Sequence, residues 1–238
     1  MDAQQTEQQT QFNPSVVHLQ ALLDRARASP GVSDGYLCEN LTKAIAGFEA
    51  LRLLPVDGKL DGGVIAKIAD NAPAVQPYEI TEEDEQISST KLPNDYADQV
   101  QMTSLGHTSV EERLAERFHM HTALIKALNS TSTFKRGETI AVTIPGGTVT
   151  GSVKRIEVHG RTAQAYAFAE NGSLLADYPA TIGSENYPSP AGKHEVKGVA
   201  RMPPYTYNPK INSSRGATEK SSSCQVVRMV RSEPCGSI

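Results

Sequence analysis

Apolar residues recur at helical spacing through the first part of the chain. Val16, Leu19, Leu22, Leu23 and Ala26, with Gln20 among them, share one helical face, and Ser29-Pro30-Gly31 stops that helix. Leu41, Ala44, Ile45, Phe48 and Leu51 predict a second helix from about Glu39 to Leu53. Asp34-Gly35 and Pro55-Val56-Asp57-Gly58 read as turns, and Asp61 caps a short third helix carrying Val64, Ile65 and Ile68. Residues 14–70 are therefore a three-helix unit of about 55 residues, near the lower size limit for independent folding. Its expected core is Leu19, Leu22, Leu23, Ile45, Phe48, Leu51 and Val64. Residues 1–13 are Gln/Thr-rich and are expected to be disordered.

The pattern then changes. Residues 71–107 read as a linker broken by Pro73, Pro77 and Pro93, with five acids between Glu79 and Glu85 as a solvated, self-repelling spacer. Residues 108–145 predict two short amphipathic helices around Leu114, Ala115, Phe118 and Leu124, Ile125, Leu128. Thr108 or Ser109 with Glu112 forms a capping box, and Asn129 ends the second helix. Thr139 to Ile144 alternates with strand period. From 147 to 212 the period is two: Ile156 and Val158, then Ala163 to Ala169, a Glu170-Asn171-Gly172-Ser173 turn, and a partner strand from Leu174 to Ile182. The fold class is α+β: a small three-helix domain, a helix pair plus strand, and an incomplete antiparallel β domain.

Composition narrows the function. A net charge of −4 leaves no basic field for nucleic acid. No apolar run is long enough to span a membrane, and the start, Met1 to Gln5, has no signal-peptide pattern. Cys38, Cys224 and Cys235 form neither a disulfide framework nor a zinc spacing, and Cys38 reads as a small buried apolar group. His119 and His121 stand two apart, which on a helix points them away from each other, so packing is favoured over a metal pair. His159-Gly160 reads as a turn before a strand, and His194 as a solvent-facing strand position. No metal or cofactor is expected.

The residues Leu19 to Leu60, with their Asp-Gly turn, the Lys43-Ala-Ile-Ala-Gly-Phe48 helix and the Leu54-Pro-Val-Asp-Gly58 turn, resemble the three-helix peptidoglycan-binding domain of cell-wall enzymes. Cys38 stands where that family usually has Gly, and Leu41 where it usually has Thr. Glu111 to Val142 is similar to a LysM-like glycan-binding unit lacking its opening strand. Gln164 to Gly183, Pro188 to Val196 and Pro203 to Pro209 resemble the front of an L,D-transpeptidase catalytic domain. The resemblance implies a periplasmic or envelope protein whose partner is peptidoglycan, both glycan strands and stem peptides. The implied chemistry is acyl transfer through a Cys thioester. The His-Gly-Thr and Ser-His-Gly-Cys motifs of that chemistry are missing, so no catalytic residue is assigned and the chain is expected to be inactive. The alternative is a non-catalytic peptidoglycan-binding protein. Tyr205, Tyr207 and Asn208 are the candidate substrate-binding residues, because loop aromatics suit sugar stacking or a substrate cleft.

The resemblance runs to Asn212 and stops. Residues 213–238 hold seven Ser and two of the three Cys but no Leu, Phe, Tyr, Trp or Asp, and are expected to be an aberrant, disordered tail. One synonymous codon choice for Ser221 to Ile238, read from the third base, encodes Leu-Leu-Leu-Pro-Gly-Gly-Pro-Asn-Gly-Pro-Val-Gly-Thr-Val-Trp-Ile-Asp, which resembles the family's Pro-Gly-Pro-Asn-Gly-Pro-Val-Gly-x-x-Trp-Ile segment. The chain thus reads as truncated, with a shifted reading frame after Asn212.

Overall fold

Pro14 opens helix α1 (Pro14–Arg25), at the position where its missing N–H costs nothing. Asn13 caps it, its side-chain oxygen accepting from the Ser15 N–H at 2.9 Å. The computed structural model describes residues 12–70, 72–87, 106–147, 151–185 and 188–199, and otherwise only the backbone of strands 204–207 and 222–225. Phe12 packs on the Tyr36 ring at 6.0 Å and Asn13 caps α1, against the disorder expected for 1–13. The rest of that segment lies outside the described residues.

Helices α2 (Glu39–Leu51) and α3 (Gly62–Ile68) complete the first unit. Asp61 caps α3 through the Val64 N–H at 2.9 Å. Val16, Leu19, Leu22, Leu23, Leu41, Ile45, Phe48, Val64 and Ile68 close one core, with Leu51 half-buried at its margin. α2 stops short of Leu53, which takes a positive φ of 55° and stands exposed.

Helix α1 serves two cores. Val16 faces the first and Val17 the second, so the helix is buried on both sides rather than along one stripe. The second core belongs to a βααβ unit. Strand β1 (Val75–Glu79) and the one-turn helix α4 (Glu82–Glu85) precede helices α5 (Val110–Arg117) and α6 (Thr122–Leu128) and strand β2 (Thr139–Thr143). β1 and β2 pair antiparallel, with Pro77 opposite Ala141. Ile80, Leu114, Phe118, Leu124, Ile125, Ile140 and Val142 fill the space between sheet and helices. The linker reading is corrected here: residues 75–79 form a strand paired with β2. Pro77 concealed it, because proline argues against a strand interior. The ladder tolerates it, since Ala141 turns both its backbone groups away from Pro77 to the Asn129 side chain, at 2.7 and 2.9 Å.

The acidic spacer is likewise corrected. Thr81 and Asp84 form a capping box, and Asp84 is fully buried. Its carboxylate accepts from the Tyr78 hydroxyl at 2.6 Å and the Thr81 N–H at 2.9 Å, and pairs with Arg117 at 3.0 Å. Burial opposes its charge, but the hydrogen bonds from Tyr78 and Thr81 with the Arg117 charge outweigh it and hold the carboxyl below its ordinary value.

Strands β3 (Arg155–His159), β4 (Gln164–Phe168) and β5 (Leu174–Pro179) form an antiparallel sheet in sequence order. The predicted Asn171-Gly172 turn joins β4 to β5, with Gly172 at φ 81°. Ile156, Val158, Ala165, Ala167 and Tyr178 share one face by register. The other face carries Gln164 and Asp177, both buried. Strand β6 (Pro204–Tyr207) pairs antiparallel with β7 (Ser222–Gln225), so a strand lies inside the segment read as an unstructured tail. Two histidine readings change. His159 closes β3 and packs edge-on against Tyr166 rather than preceding a strand. His194 lies in an irregular exposed stretch that has no strand partner among the described residues. The whole is an α+β architecture.

Candidate functional site

The two Asp-Gly turns of the helical unit are each held by a buried polar side chain from a helix. Gln20 of α1, which the spacing placed on the apolar face, accepts from the Asp34 and Gly35 N–H groups at 3.1 and 2.9 Å and donates to the Asp34 carboxylate at 2.8 Å. Glu49 of α2 accepts from the Asp57 and Gly58 N–H groups at 2.9 and 2.8 Å. Gly35 is required: its φ is 80°, and a Cβ there would lie 2.7 Å from that of Phe12. Both turns are thus rigid, and they present Leu37 and Val56 to solvent beside the buried latches. Gln20, spaced with the apolar residues of α1, was the sequence signal for the first latch, and no such signal marked Glu49.

Leu41 is in the core. Cys38 precedes α2, gives it no side-chain cap, and is disulfide-bonded, which replaces the reading of a plain apolar group. Its partner lies outside the described side chains.

The βααβ unit offers a polar cleft of about 420 Å³ beside the α6–β2 connection, lined by Asn129, Ser130, Thr131, Ser132, Glu138 and Thr139. Hydroxyls of Ser132 and Thr133 donate to Glu138 and push its carboxyl down to about 2. The cleft therefore holds a fixed carboxylate, while its Asn129 amide is engaged with the Ile125 and Ala141 backbone and its Ser132 hydroxyl with Glu138.

The loop between α1 and α2 joins all three units. Asp177 of β5 donates its N–H to the Arg27 carbonyl at 2.8 Å, and its own carbonyl accepts from the Ser29 N–H at 2.9 Å. Its carboxylate lies against Gly47 of α2, where a Cβ would sit 2.0 Å from Oδ2. Burial raises that carboxyl to about 6, although Gln164 donates to it at 2.9 Å. On the other side, Ser33 exchanges backbone hydrogen bonds with His119 and His121. These histidines end and begin helices rather than sharing one: His119 has φ 51°, and His121 caps α6. His119 Nδ1 meets Asp24 at 2.9 Å, and that hydrogen bond raises the imidazole above its ordinary value. Among the described residues no three metal-ligating side chains converge.

Tyr205 and Tyr207 lie in β6, with backbones opposite Cys224 and Ser222. Asn208 lies outside the described residues. No described helix is long and apolar enough to cross a membrane. No curated protein matches the chain. Residues 12–68, which take in the Asn13 cap, all three helices and both latched turns, match the family model described as "Putative peptidoglycan binding domain", and this segment is similar to that family.

Proposed function

We propose that the protein binds peptidoglycan through two modules and, as this chain stands, performs no transfer chemistry. The observation that carries the reading is the family match over residues 12–68, coinciding with a complete three-helix core. The βααβ unit is the second module. An antiparallel pairing of β1 with β2 and a polar cleft at the Glu138 carboxylate support that reading. A disulfide at Cys38 fits an envelope compartment, where oxidising conditions maintain such bonds.

Residues 147–212 we read as the front of an L,D-transpeptidase domain. The thioester chemistry of that family needs a thiolate beside a histidine base. No His-Gly stands directly before Cys224 or Cys235 in the sequence. Tyr205, Tyr207 and Asn208 remain the residues we propose for substrate contact in that segment.

Cosedimentation with purified sacculi tests the binding reading: the chain is expected in the pellet, and soluble glycan strands release it. Recovery in the supernatant would overturn it. Incubation with a tetrapeptide donor tests the second point: no acyl adduct is expected on Cys224 or Cys235, and a thiol-dependent adduct in the mass spectrum would restore catalysis.

A further inference from the structure

Strand β3 is the outer strand of its sheet, and among the described residues nothing pairs with its free edge. The opposite edge is closed. Asp177 of β5 spends its N–H on the Arg27 carbonyl and its own carbonyl on the Ser29 N–H. Backbone groups turn alternately to one side and the other along an antiparallel ladder. Since those of Asp177 turn outward, those of Ala176 and Tyr178 turn toward β4. By register Ala165 and Ala167 answer them, and Tyr166 and Phe168 turn the other way, toward Glu157 and Arg155. Ile156 and Val158 therefore direct their N–H and carbonyl groups away from the sheet. Both residues are exposed, so the row is open.

An open edge is a template for another strand, and charges on it ordinarily repel a copy. The charges of β3 do the reverse in one register. A second β3 can add antiparallel about a two-fold axis, with the outward groups of Ile156 and Val158 in the new ladder. An axis at Glu157 would set that carboxylate against its own copy, and an axis at Arg155 would oppose two arginines. An axis at Val158 leaves Arg155 with no strand residue opposite it. An axis at Ile156 sets Arg155 of each copy opposite Glu157 of the other, twice, with Ile156 beside itself. Both side chains are placed for this. Arg155 lies over the Phe168 ring, 4.1 Å from its centroid, and pairs with Glu157 of its own strand. The two side chains are still 52% and 37% exposed, so each keeps a side open to a partner.

We propose that two copies of this chain join through β3, antiparallel about a two-fold axis at Ile156, into one continuous sheet. The assembly closes at a pair, because the β5 edges at its two ends are taken by residues 27–29. This pairing is independent of wall binding and goes beyond it.

Sedimentation velocity of the full chain at rising concentration tests the proposal. An interface made by one strand edge is small, so a weak dimer is expected, with a Kd on the order of 10–100 μM. Arg155→Glu would set acids against acids, and Glu157→Arg bases against bases. Each should weaken the dimer about tenfold or more. Mixing the two variants sets acid against base again and should restore a heterodimer to within about threefold of the parent. Hydrogen exchange needs no variant: the Ile156 amide should slow as concentration rises. A parent that stays monomeric to about 1 mM would overturn the proposal and leave the edge to another part of the chain. A dimer indifferent to both changes, held by a disulfide or by another surface, would overturn it too. So would a dimer in which the Ile156 amide exchanges as fast as in the monomer.

Discussion

The helical unit and the three-stranded sheet carry equally regular apolar patterns and meet opposite fates. In the first, every predicted core position closes on another, and Phe48 has no exposed surface. In the second, the strands pair in the predicted order, yet Ile156 and Val158 remain 60% and 57% exposed. A helical stripe of period 3.6 finds its partners in the neighbouring helices. A strand of period two specifies its ladder, but not what will cover either face. The sheet buries its polar face instead, setting Gln164 and Asp177 against the helical unit.

The contrast can be broken most strongly at Phe48. Phe48→Ala removes a fully buried ring and should cost about 3–5 kcal/mol in denaturant unfolding. Asp84→Ala should cost about 1–3 kcal/mol, because it leaves the Tyr78 hydroxyl, the Thr81 N–H and Arg117 without their shared acceptor. An unchanged midpoint would return that segment to a solvated spacer. Gly47→Ala tests how the sheet is held. Alanine in mid-helix ordinarily stabilises by about 1 kcal/mol over glycine. Here the added Cβ meets the Asp177 carboxylate, so net loss is expected, with faster proteolysis of residues 151–185 while the helical unit survives. Relief by Asp177→Ala would confirm the contact.

Acidity should move the same junction. Asp177 titrates higher in the folded state than its ordinary 3.8, at about 6, so its contribution is complete below about pH 4 and lost as pH rises through 6. His119 is also raised, by Asp24, from an ordinary 6.5. Its contribution is complete below that value and lost as pH rises through the folded one. Protease resistance of residues 151–185 is therefore expected to fall steadily from pH 4 upward. Asp177→Asn should flatten the lower part of that slope and His119→Gln the upper part. The smallest effect belongs to the exposed face: Ile156→Ala should stay within about 0.5 kcal/mol. A core-sized loss there would mean that the face is covered.

Much of the architecture was legible because local rules stated it. Asp61 and Ser109 cap the helices they precede, Asn171-Gly172 turns the hairpin, and the three helices follow the apolar spacing. Strand β1 was illegible, because Pro77 masks a strand whose tolerance for proline depends on Asn129 more than fifty residues later. The candidate sites were harder still. Tyr205, Tyr207 and Asn208 were chosen as loop aromatics with a polar neighbour, but both tyrosines lie in a strand. The polar cleft beside the α6–β2 connection is likewise assembled by the fold, from the end of α6 and the start of β2.

By itself, the sequence determined the helices, the hairpin, the core of the first unit and its similarity to a wall-binding domain. Periodicity, capping and turn chemistry act over a few residues and need no distant partner. Tertiary structure alone decided which polar groups became structural. Glu49, Asp84 and Asp177 look like surface residues in the sequence, Gln20 stands on an apolar face with no partner in view, and all four are buried in the fold. A polar side chain can be buried only where particular donors meet it, and those donors arrive from other parts of the chain.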